Sequence, residues 1–458
     1  MPVVDNFLQF VSLRKQFPEF IYDSYQFHYS NNVISVEYCF KLGDKYQFRP
    51  HSVFSFNNIS TVAELSVEAI NNLVFHLGMI ELISYWKASC SPKLVVKPFS
   101  LSEEQISWWK KLYYNGLGEF FYLNSIDVSE SDFMRIESGE AQLNSFELAS
   151  KKKNSALVPI GGGKDSPVTL QLLKNNGISV VPLIINPRGA TLNTVKAAGI
   201  DVSEMVTINR IIDPQLLKLN EQGFLNGHTP FSAMLAFYSL LISAVTGIPD
   251  IALSNESSAN ESTVAGSDIN HQYSKSFEFE SDFRWYYKRY LSTDFNYFSF
   301  LRPLTELQIA HIFSQLTEYH PVFRSCNAGS KTDVWCGNCP KCLFATIILS
   351  PFIEPLKLNT IFGSNLFEKA ELLPALEELT GRVAVKPFEC VGTIDEVNLA
   401  LGLAVQKYYP SSVQAPLLLQ TWREWNTLPS TIDNSWRNEW NSEHFLTNSY
   451  EKILKDVR

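Results

Sequence analysis

Residues 156–166 read Ala-Leu-Val-Pro-Ile-Gly-Gly-Gly-Lys-Asp-Ser, and no other stretch restricts the fold so tightly. Its apolar half suits a short strand buried on both faces of a parallel sheet. Its glycines allow a tight, exposed turn. Residues 167–174 then continue with helical spacing, and Pro167 sits in the first turn, where no amide is needed. A strand, a glycine turn and a helix start in succession make an anion site. The glycines let the backbone approach phosphate oxygens, the unpaired helix amides point at them, and the dipole favours negative charge.

The sequence after this turn repeats the alternation. Residues 179–185, 205–208 and 250–253 read as further buried strands, with helices over 190–198 and 230–245. That succession predicts an α/β fold with a doubly wound, mostly parallel sheet, whose ligands lie beyond the carboxyl ends of the strands. Asn186, Arg188, Asn209 and Arg210 follow strands at that edge, either as nucleotide contacts or as solvated loop residues. Before the turn, residues 32–40 alternate and pass through Gly43-Asp44 into 46–49, a hairpin signal. Residues 64–86 have helical spacing, and 108–121 form an aromatic-rich helix or helix pair. The polar run 150–154 marks a boundary. The chain thus divides into an N-terminal α+β domain (1–150), a phosphate-loop domain (151–350) and a mostly helical C-terminal region (351–458). In the last, 365–379 and 397–408 are expected helices, and Trp422, Trp425, Trp436 and Trp440 are expected to pack back on the protein.

The Walker loop requires Ser or Thr after its lysine, and Asp165 follows Lys164, so that loop is excluded. The stretch resembles instead the PP-loop of ATP pyrophosphatases, with pattern Ser-Gly-Gly-x-Asp-Ser. Gly162, Gly163, Asp165 and Ser166 match it, whereas Gly161 stands where that family has serine, which removes one hydroxyl contact. The resemblance implies cleavage of ATP to AMP and pyrophosphate. Gly161, Gly162, Gly163, Lys164, Asp165 and Ser166 would then bind nucleotide, and Asp165 and Ser166 would also be catalytic. A glycine-rich turn without a ligand is the plainer alternative.

Three further segments carry chemistry. Asn255 and Glu256, with Asn260 and Glu261, leave the fourth strand into the same crevice and suit magnesium or substrate orientation. The polar stretch through Tyr273 reads as a lid that orders on binding, together with residues 275–290. Cys326, Cys336, Cys339 and Cys342 have the spacing of a tetrahedral zinc knuckle, with Gly337 and Pro340 supplying tight turns. An iron–sulfur cluster is the other occupant, and the short knuckle form favours zinc. Cys390, beside Glu389 and before a Gly-Thr turn, suits a reactive thiol or proton carrier, against the default of a buried apolar cysteine.

Composition removes several function classes. The chain has 38 basic against 47 acidic residues, which disfavours non-specific nucleic-acid binding. Its most membrane-like stretch, 233–245, is too short to span a bilayer, and the first residues lack the basic and apolar parts of a signal peptide. Seven cysteines, four of them clustered, fit a reducing compartment. A cytoplasmic protein without nucleic-acid or membrane partners is expected, and its oligomeric state is left open.

A phosphate loop joined to a four-cysteine knuckle resembles the deazapurine nitrile synthases, which are much shorter. A second resemblance covers nearly the whole chain. Residues 48–51 (Phe-Arg-Pro-His), 116–121 (Gly-Leu-Gly-Glu-Phe-Phe), 161–166, 253–261, 325–327, 336–342 and 386–393 (Lys-Pro-Phe-Glu-Cys-Val-Gly-Thr) are similar to segments of the UDP-N-acetylmuramoyl-L-alanyl-L-glutamate epimerases (MurL) of bacterial peptidoglycan synthesis. This resemblance implies ATP-dependent inversion of the terminal L-glutamate of that nucleotide-linked peptide. An acyl-adenylate would make the α-hydrogen acidic, a base and an acid would exchange it, and water would release AMP and the D-glutamyl product. ATP, magnesium and zinc are the implied cofactors. The resemblance carries no acid–base pair. A ligase of the nitrile synthase type, a tRNA thiolase and a non-enzymatic ATP-binding regulator are the alternatives.

Overall fold

The computed structural model describes residues 3–30, 32–61, 65–149, 151–410, 413–426 and 434–457. Among these, eleven strands join in one sheet. They are β1 (Glu19–Ser30), β2 (Val33–Leu42), β3 (Tyr46–Phe48), β4 (His51–Ser55), β5 (Lys93–Val96), β6 (Arg135–Ser138), β7 (Ser155–Pro159), β8 (Ser179–Ile185), β9 (Val206–Ile211), β10 (Asp250–Leu253) and β11 (Asn296–Ser299). The last five run parallel in the order β9-β8-β7-β10-β11. The chain leaves central β7 towards β8 and β9, then returns across it to β10 and β11. The direction of winding reverses between β7 and β10, and a crevice at their carboxyl ends follows from that reversal.

Alternate side chains of these strands enter two different cores. Leu157, Leu183, Ile251 and Tyr297 pack on one face with the helices Val67–Trp86 and Phe231–Thr246. Ala156, Val158, Ile184, Ala252 and Phe298 pack on the other, with the helices Asp165–Asn175, Glu306–Gln315 and Pro340–Leu349. Both faces are covered, and this explains why the strands read as unbroken apolar runs. The α/β expectation therefore holds, with two of the strands at the expected residues and the helix expected over 190–198 found at Gly189–Ala197. The short edge strand β11 was not foreseen. It begins at a polar asparagine and is only four residues long, too short to display a pattern.

The sheet does not stop at the polar run before β7, of which Ser150 lies outside the described residues. β4 pairs antiparallel with β9, and β2, β1, β5 and β6 extend the sheet beyond it. The expected hairpin is present as β2 and β3. The helix expected from Glu64, a residue outside those described, begins at Val67, where the Ser66 hydroxyl accepts from the Ala69 amide. It is buried along nearly its whole length, and Gly78 lets Tyr22 approach it: a Cβ there would lie 2.0 Å from the tyrosine oxygen. The aromatic segment is a pair of helices, Glu103–Gly116 and Gly118–Leu123.

The C-terminal region is mostly helical as expected, including Ile394–Tyr408. Residues 365–379 instead form two short 3-10 turns and the helix Leu373–Leu379, whose Pro374 fits only at a helix start. Trp422 and Trp436 are buried. Tyr450 donates a 2.6 Å hydrogen bond to Asp250 at the start of β10, so the tail does pack back on the sheet. Among the described residues no helix is long and apolar enough to cross a membrane.

One charge pair ties the N-terminal core to the parallel strands. Arg210 of β9 donates from Nε (2.8 Å) and Nη2 (2.7 Å) to the two carboxylate oxygens of Glu81, and both side chains are nearly enclosed. Removing one member leaves a buried charge unpaired, which costs about 3–5 kcal/mol. Glu81→Leu is expected to lower stability in guanidinium unfolding by about that amount, and Glu81→Leu with Arg210→Met to recover most of it. An unchanged midpoint in the single variant would contradict the assignment.

Candidate functional site

The turn after β7 is shaped for close approach by an anion. Gly162 has φ +83°, a conformation other residues rarely adopt, and its carbonyl accepts a 2.7 Å hydrogen bond from the Arg324 amide. A Cβ on Gly163 would meet the Ser325 side chain at 3.3 Å, while nothing lies within 4 Å of one on Gly161. The segment leading into the first knuckle cysteine therefore braces the loop from one side and leaves Gly161 open. No side chain caps the helix Asp165–Asn175, whose first-turn amides face the turn. The loop is less exposed than expected, since Asp165 is half-buried and Ser166 is buried. The Ser166 hydroxyl finds no partner among the described residues, which is how a buried donor awaiting a phosphate oxygen would look.

Lys164 does not point freely into the crevice. Its ammonium is buried, 2.5 Å from Asp165 Oδ1 and hydrogen-bonded to Glu306 Oε2. Burial alone would lower its pKa, but Asp165, Glu306 and Glu256 outweigh that and keep it charged. Burial pushes the Glu306 carboxyl up, against the pull of Lys164. One oxygen from each of Asp165, Glu256 and Glu306 lies within 4.8 Å of the others, so three carboxylates surround one lysine. That excess of oxygen ligands suits magnesium beside phosphate. Glu256 is held by its carbonyl, which accepts a 2.6 Å bond from the fully buried Arg302, and Asn255 donates to Ser299 Oγ at 3.1 Å.

A second polar cluster surrounds Cys390. Lys275 Nζ lies 3.0 Å from its sulfur. Burial would push the thiol up, yet Lys275, His271 and Lys341 bring it well below the ordinary thiol range. His271 Nδ1 is 2.5 Å from Glu119 Oε2, and His228 Nδ1 is 3.3 Å from the same oxygen. Burial would lower His271, but Cys390 and Glu119 stabilise its charged form and raise it to about 9. His228 is lowered to about 4 by burial and by His271.

The two clusters are physically joined. The Glu306 amide donates at 2.6 Å to Glu396, whose other oxygen accepts from the Thr393 amide and hydroxyl at 2.9 Å each. Gly392 lies against Glu306, and a Cβ there would be 3.2 Å from the Glu306 Cγ. Lys386 bridges Glu261 and the Gly392 carbonyl. Lys275, raised in spite of its burial, feels Cys390, Glu256 and Asp165 together. The crevice therefore brings the glycine loop, Glu256 and Cys390 into one electrostatic neighbourhood.

Other candidates have structural partners instead. Arg210 is engaged by Glu81, and Asn186 accepts from the Arg210 amide at 2.8 Å. Asn209 pairs with Val53 in the β4–β9 ladder, and Arg188 donates to Ser330 at 2.6 Å. Residues 277–290 are a helix that buries Phe279, Phe283, Tyr286 and Tyr287 in the core, so they are not part of a lid. Glu119, His228, His271, Lys275 and Glu306 were missed as site residues. They come from segments far apart in the chain, and no local spacing links them.

The four knuckle cysteines are close together. Sulfur separations of 3.5 Å (Cys339–Cys342) and 3.6 Å (Cys336–Cys342, Cys326–Cys339) approach the edge of about 3.8 Å set by four Zn–S bonds of about 2.3 Å. The Gly329 and Gly337 amides donate to Cys326 and Cys342 sulfurs at 3.3 and 3.4 Å, the kind of support that fixes thiolate ligands. The residues fit a closed structural zinc site, with Arg324 and Ser325 carrying its rigidity to the glycine loop.

Comparison with known proteins follows the same lines. The chain matches the family description "MurL N-terminal domain" over residues 11–300 and "MurL C-terminal domain" over residues 322–433. It is similar to three curated proteins named UDP-N-acetyl-alpha-D-muramoyl-L-alanyl-L-glutamate epimerase. Identity is 33% to that of Xanthomonas oryzae pv. oryzae, covering 74% of this chain and 76% of the relative. It is 32% to that of Salinispora tropica, covering 84% of each. It is 33% to that of a Micromonospora species, covering 75% and 77%. No solved structure matches.

Four thiolates this close repel one another without a cation, so metal loss should cost stability. One zinc per chain is expected by elemental analysis, and Cys339→Ser should lose it and become protease-sensitive. Absence of zinc, or an iron chromophore, would contradict this.

Proposed function

The chain belongs to the MurL family, and on that premise we propose that it is an ATP-dependent epimerase. It inverts the terminal L-glutamate of UDP-N-acetylmuramoyl-L-alanyl-L-glutamate to D-glutamate, a step of peptidoglycan precursor synthesis. The observation that carries the proposal is the joining of two unlike centres. A glycine-turn anion site and a thiol held among cations share one buried network through Glu306, Glu396 and Lys275. A phosphate site alone would suit any nucleotide binder, whereas a thiolate beside it suits proton exchange at carbon.

The chemistry follows from what a glutamate α-hydrogen requires. Beside an ionised carboxylate it is not acidic, because its removal adds charge to an anion. Attack of that carboxylate on the α-phosphate of ATP forms an acyl-adenylate and releases pyrophosphate, and the neutral acyl carbonyl can then take up the electron pair. The PP-loop residues Gly161, Gly162, Gly163 and Ser166 grip the phosphates, with Lys164 and Asp165 fixing the turn. Asp165, Glu256 and Glu306 would hold magnesium, which supplies charge neutralisation at the phosphates. Asn255 orients the same strand end. Cys390 exchanges the α-proton on one face of the carbon, and a second donor serves the other. Hydrolysis of the mixed anhydride releases AMP and makes the inversion one-way. The zinc knuckle keeps the loop braced.

The test is the nucleotide product. With ATP, magnesium and the UDP-linked peptide, wild-type protein should form AMP and pyrophosphate in equal amounts with D-glutamyl product. Asp165→Asn and Ser166→Ala should lower pyrophosphate release by two orders of magnitude or more, about 3 kcal/mol in the barrier, with circular dichroism unchanged. Formation of ADP, or wild-type turnover in both variants, would defeat the proposal.

A further inference from the structure

Cys390 meets residues from several separate segments, among them Lys341 of the helix Pro340–Leu349. Glu119 comes from the helix Gly118–Leu123, and His228 precedes the helix Phe231–Thr246. His271 and Lys275 flank a short turn, and Cys390 lies in the 386–393 segment. The last two segments are stapled together: the Gln272 side chain donates to the Val391 carbonyl at 3.2 Å, and the Lys386 amide donates to the Thr263 carbonyl at 2.9 Å. The His271 amide in turn donates to Thr263 Oγ1 at 3.0 Å. This scaffolding holds His271 by its backbone and engages its Nδ1 with Glu119, and the ring also hydrogen-bonds the Cys390 thiol.

We propose that His271 and Glu119 form, with Cys390, a half-buried thiolate–imidazolium–carboxylate relay in which they position and polarise the sulfur that exchanges the substrate α-proton. The proposal rests on the reading of Cys390 as proton carrier and supplies the groups that make it one. Glu119 fixes the His271 tautomer and favours its cation, and the cation favours the thiolate. In the forward step the α-carbon–hydrogen bond breaks, its electron pair moves into the activated carbonyl, and the proton bonds to sulfur. A solvent-exchanged donor supplies the opposite face. When product leaves, the thiol beside the imidazolium gives its proton to water and the pair is restored.

The surroundings favour a relay over a metal ion. Ligand atoms of Glu119, His228 and His271 lie within 4.8 Å of one another. Lys87 faces Glu119 and His228, and Lys275 stands beside Cys390, so two ammonium groups oppose a divalent cation there. The groups facing the sulfur are His271, Lys275, Lys341 and, on its own segment, Glu389. His271 is raised to about 9, so the ion pair is present at neutral pH and lost as pH rises through that value.

The test needs neither ATP nor substrate. Full-length protein is treated with iodoacetamide at a series of pH values, and alkylation of the Cys390 peptide is followed by mass spectrometry. Wild-type reactivity should change less than about threefold between pH 8.5 and 6.5, whereas an ordinary thiol of pKa about 8.5 loses roughly 50-fold. His271→Gln should lose at least about tenfold over that range, Glu119→Gln less in the same direction, and Glu119→Asp should restore part. An ordinary thiol profile in the wild type overturns the relay even if the variants fail to fold. So does a His271→Gln profile that superimposes on wild type, or a second stoichiometric metal that His228→Gln removes. The expected profiles in a protein that forms no D-glutamyl product would keep the relay and sink the epimerase reading.

Discussion

The ammonium of Lys164, out of water among Asp165, Glu256 and Glu306, is the interaction on which the rest of the site depends. A buried charge is tolerated only when paired, and breaking such a pair costs several kcal/mol. The lysine of the glycine turn must therefore meet Glu306 at the start of another helix. Glu306 in turn places its amide on Glu396, which closes the capping box of the helix Ile394–Tyr408. Thr393, the cap of that helix, ends the segment that carries Cys390. The links are hydrogen bonds that run from the buried Lys164–Glu306 pair to the partly buried Glu396 and Thr393. The position of the thiol is thus set by the position of the phosphate loop.

The thiol centre uses burial differently. Around Lys164 the carboxylates outnumber the lysine, which leaves ligand capacity for a cation. Around Cys390 cations gather instead, with Lys275, His271 and Lys341 set against Glu119, Glu389 and the sulfur. Lys275 stands between the two regions and feels both. Low dielectric strengthens these effects, so a change of charge in the crevice is felt at both centres. The segment before the first knuckle cysteine touches the glycine loop, with the Arg324 amide donating to the Gly162 carbonyl and Ser325 lying against Gly163.

Elements whose signal is local were legible in the sequence. The strand–glycine–helix turn, the buried strands and the four cysteines each depend on neighbours within a few residues, and the structure has each where its spacing pointed. What escaped was either short or distant. β11 is four residues with a polar start, and the β4–β9 pairing joins residues more than 150 apart in sequence. The helix over 277–290 is rich in charged residues, which disguise the aromatic face that it buries in the core. His228, His271 and Lys275 carry no motif of their own, and Glu119 lies in the 116–121 segment without a spacing that gives it a role. Only folding brings them to Cys390, which sequence spacing did single out.

If nucleotide cleavage at the glycine loop enables proton exchange at Cys390, deuterium incorporation at the glutamate α-carbon, followed by mass spectrometry in deuterium oxide, reports it directly. Wild-type protein with ATP, magnesium and UDP-N-acetylmuramoyl-L-alanyl-L-glutamate should give D-glutamyl product carrying one deuterium, with no exchange when ATP is omitted. Cys390→Ala should still release pyrophosphate and lose the exchange. Exchange without ATP in the wild type, or full exchange in Cys390→Ala, would contradict the account.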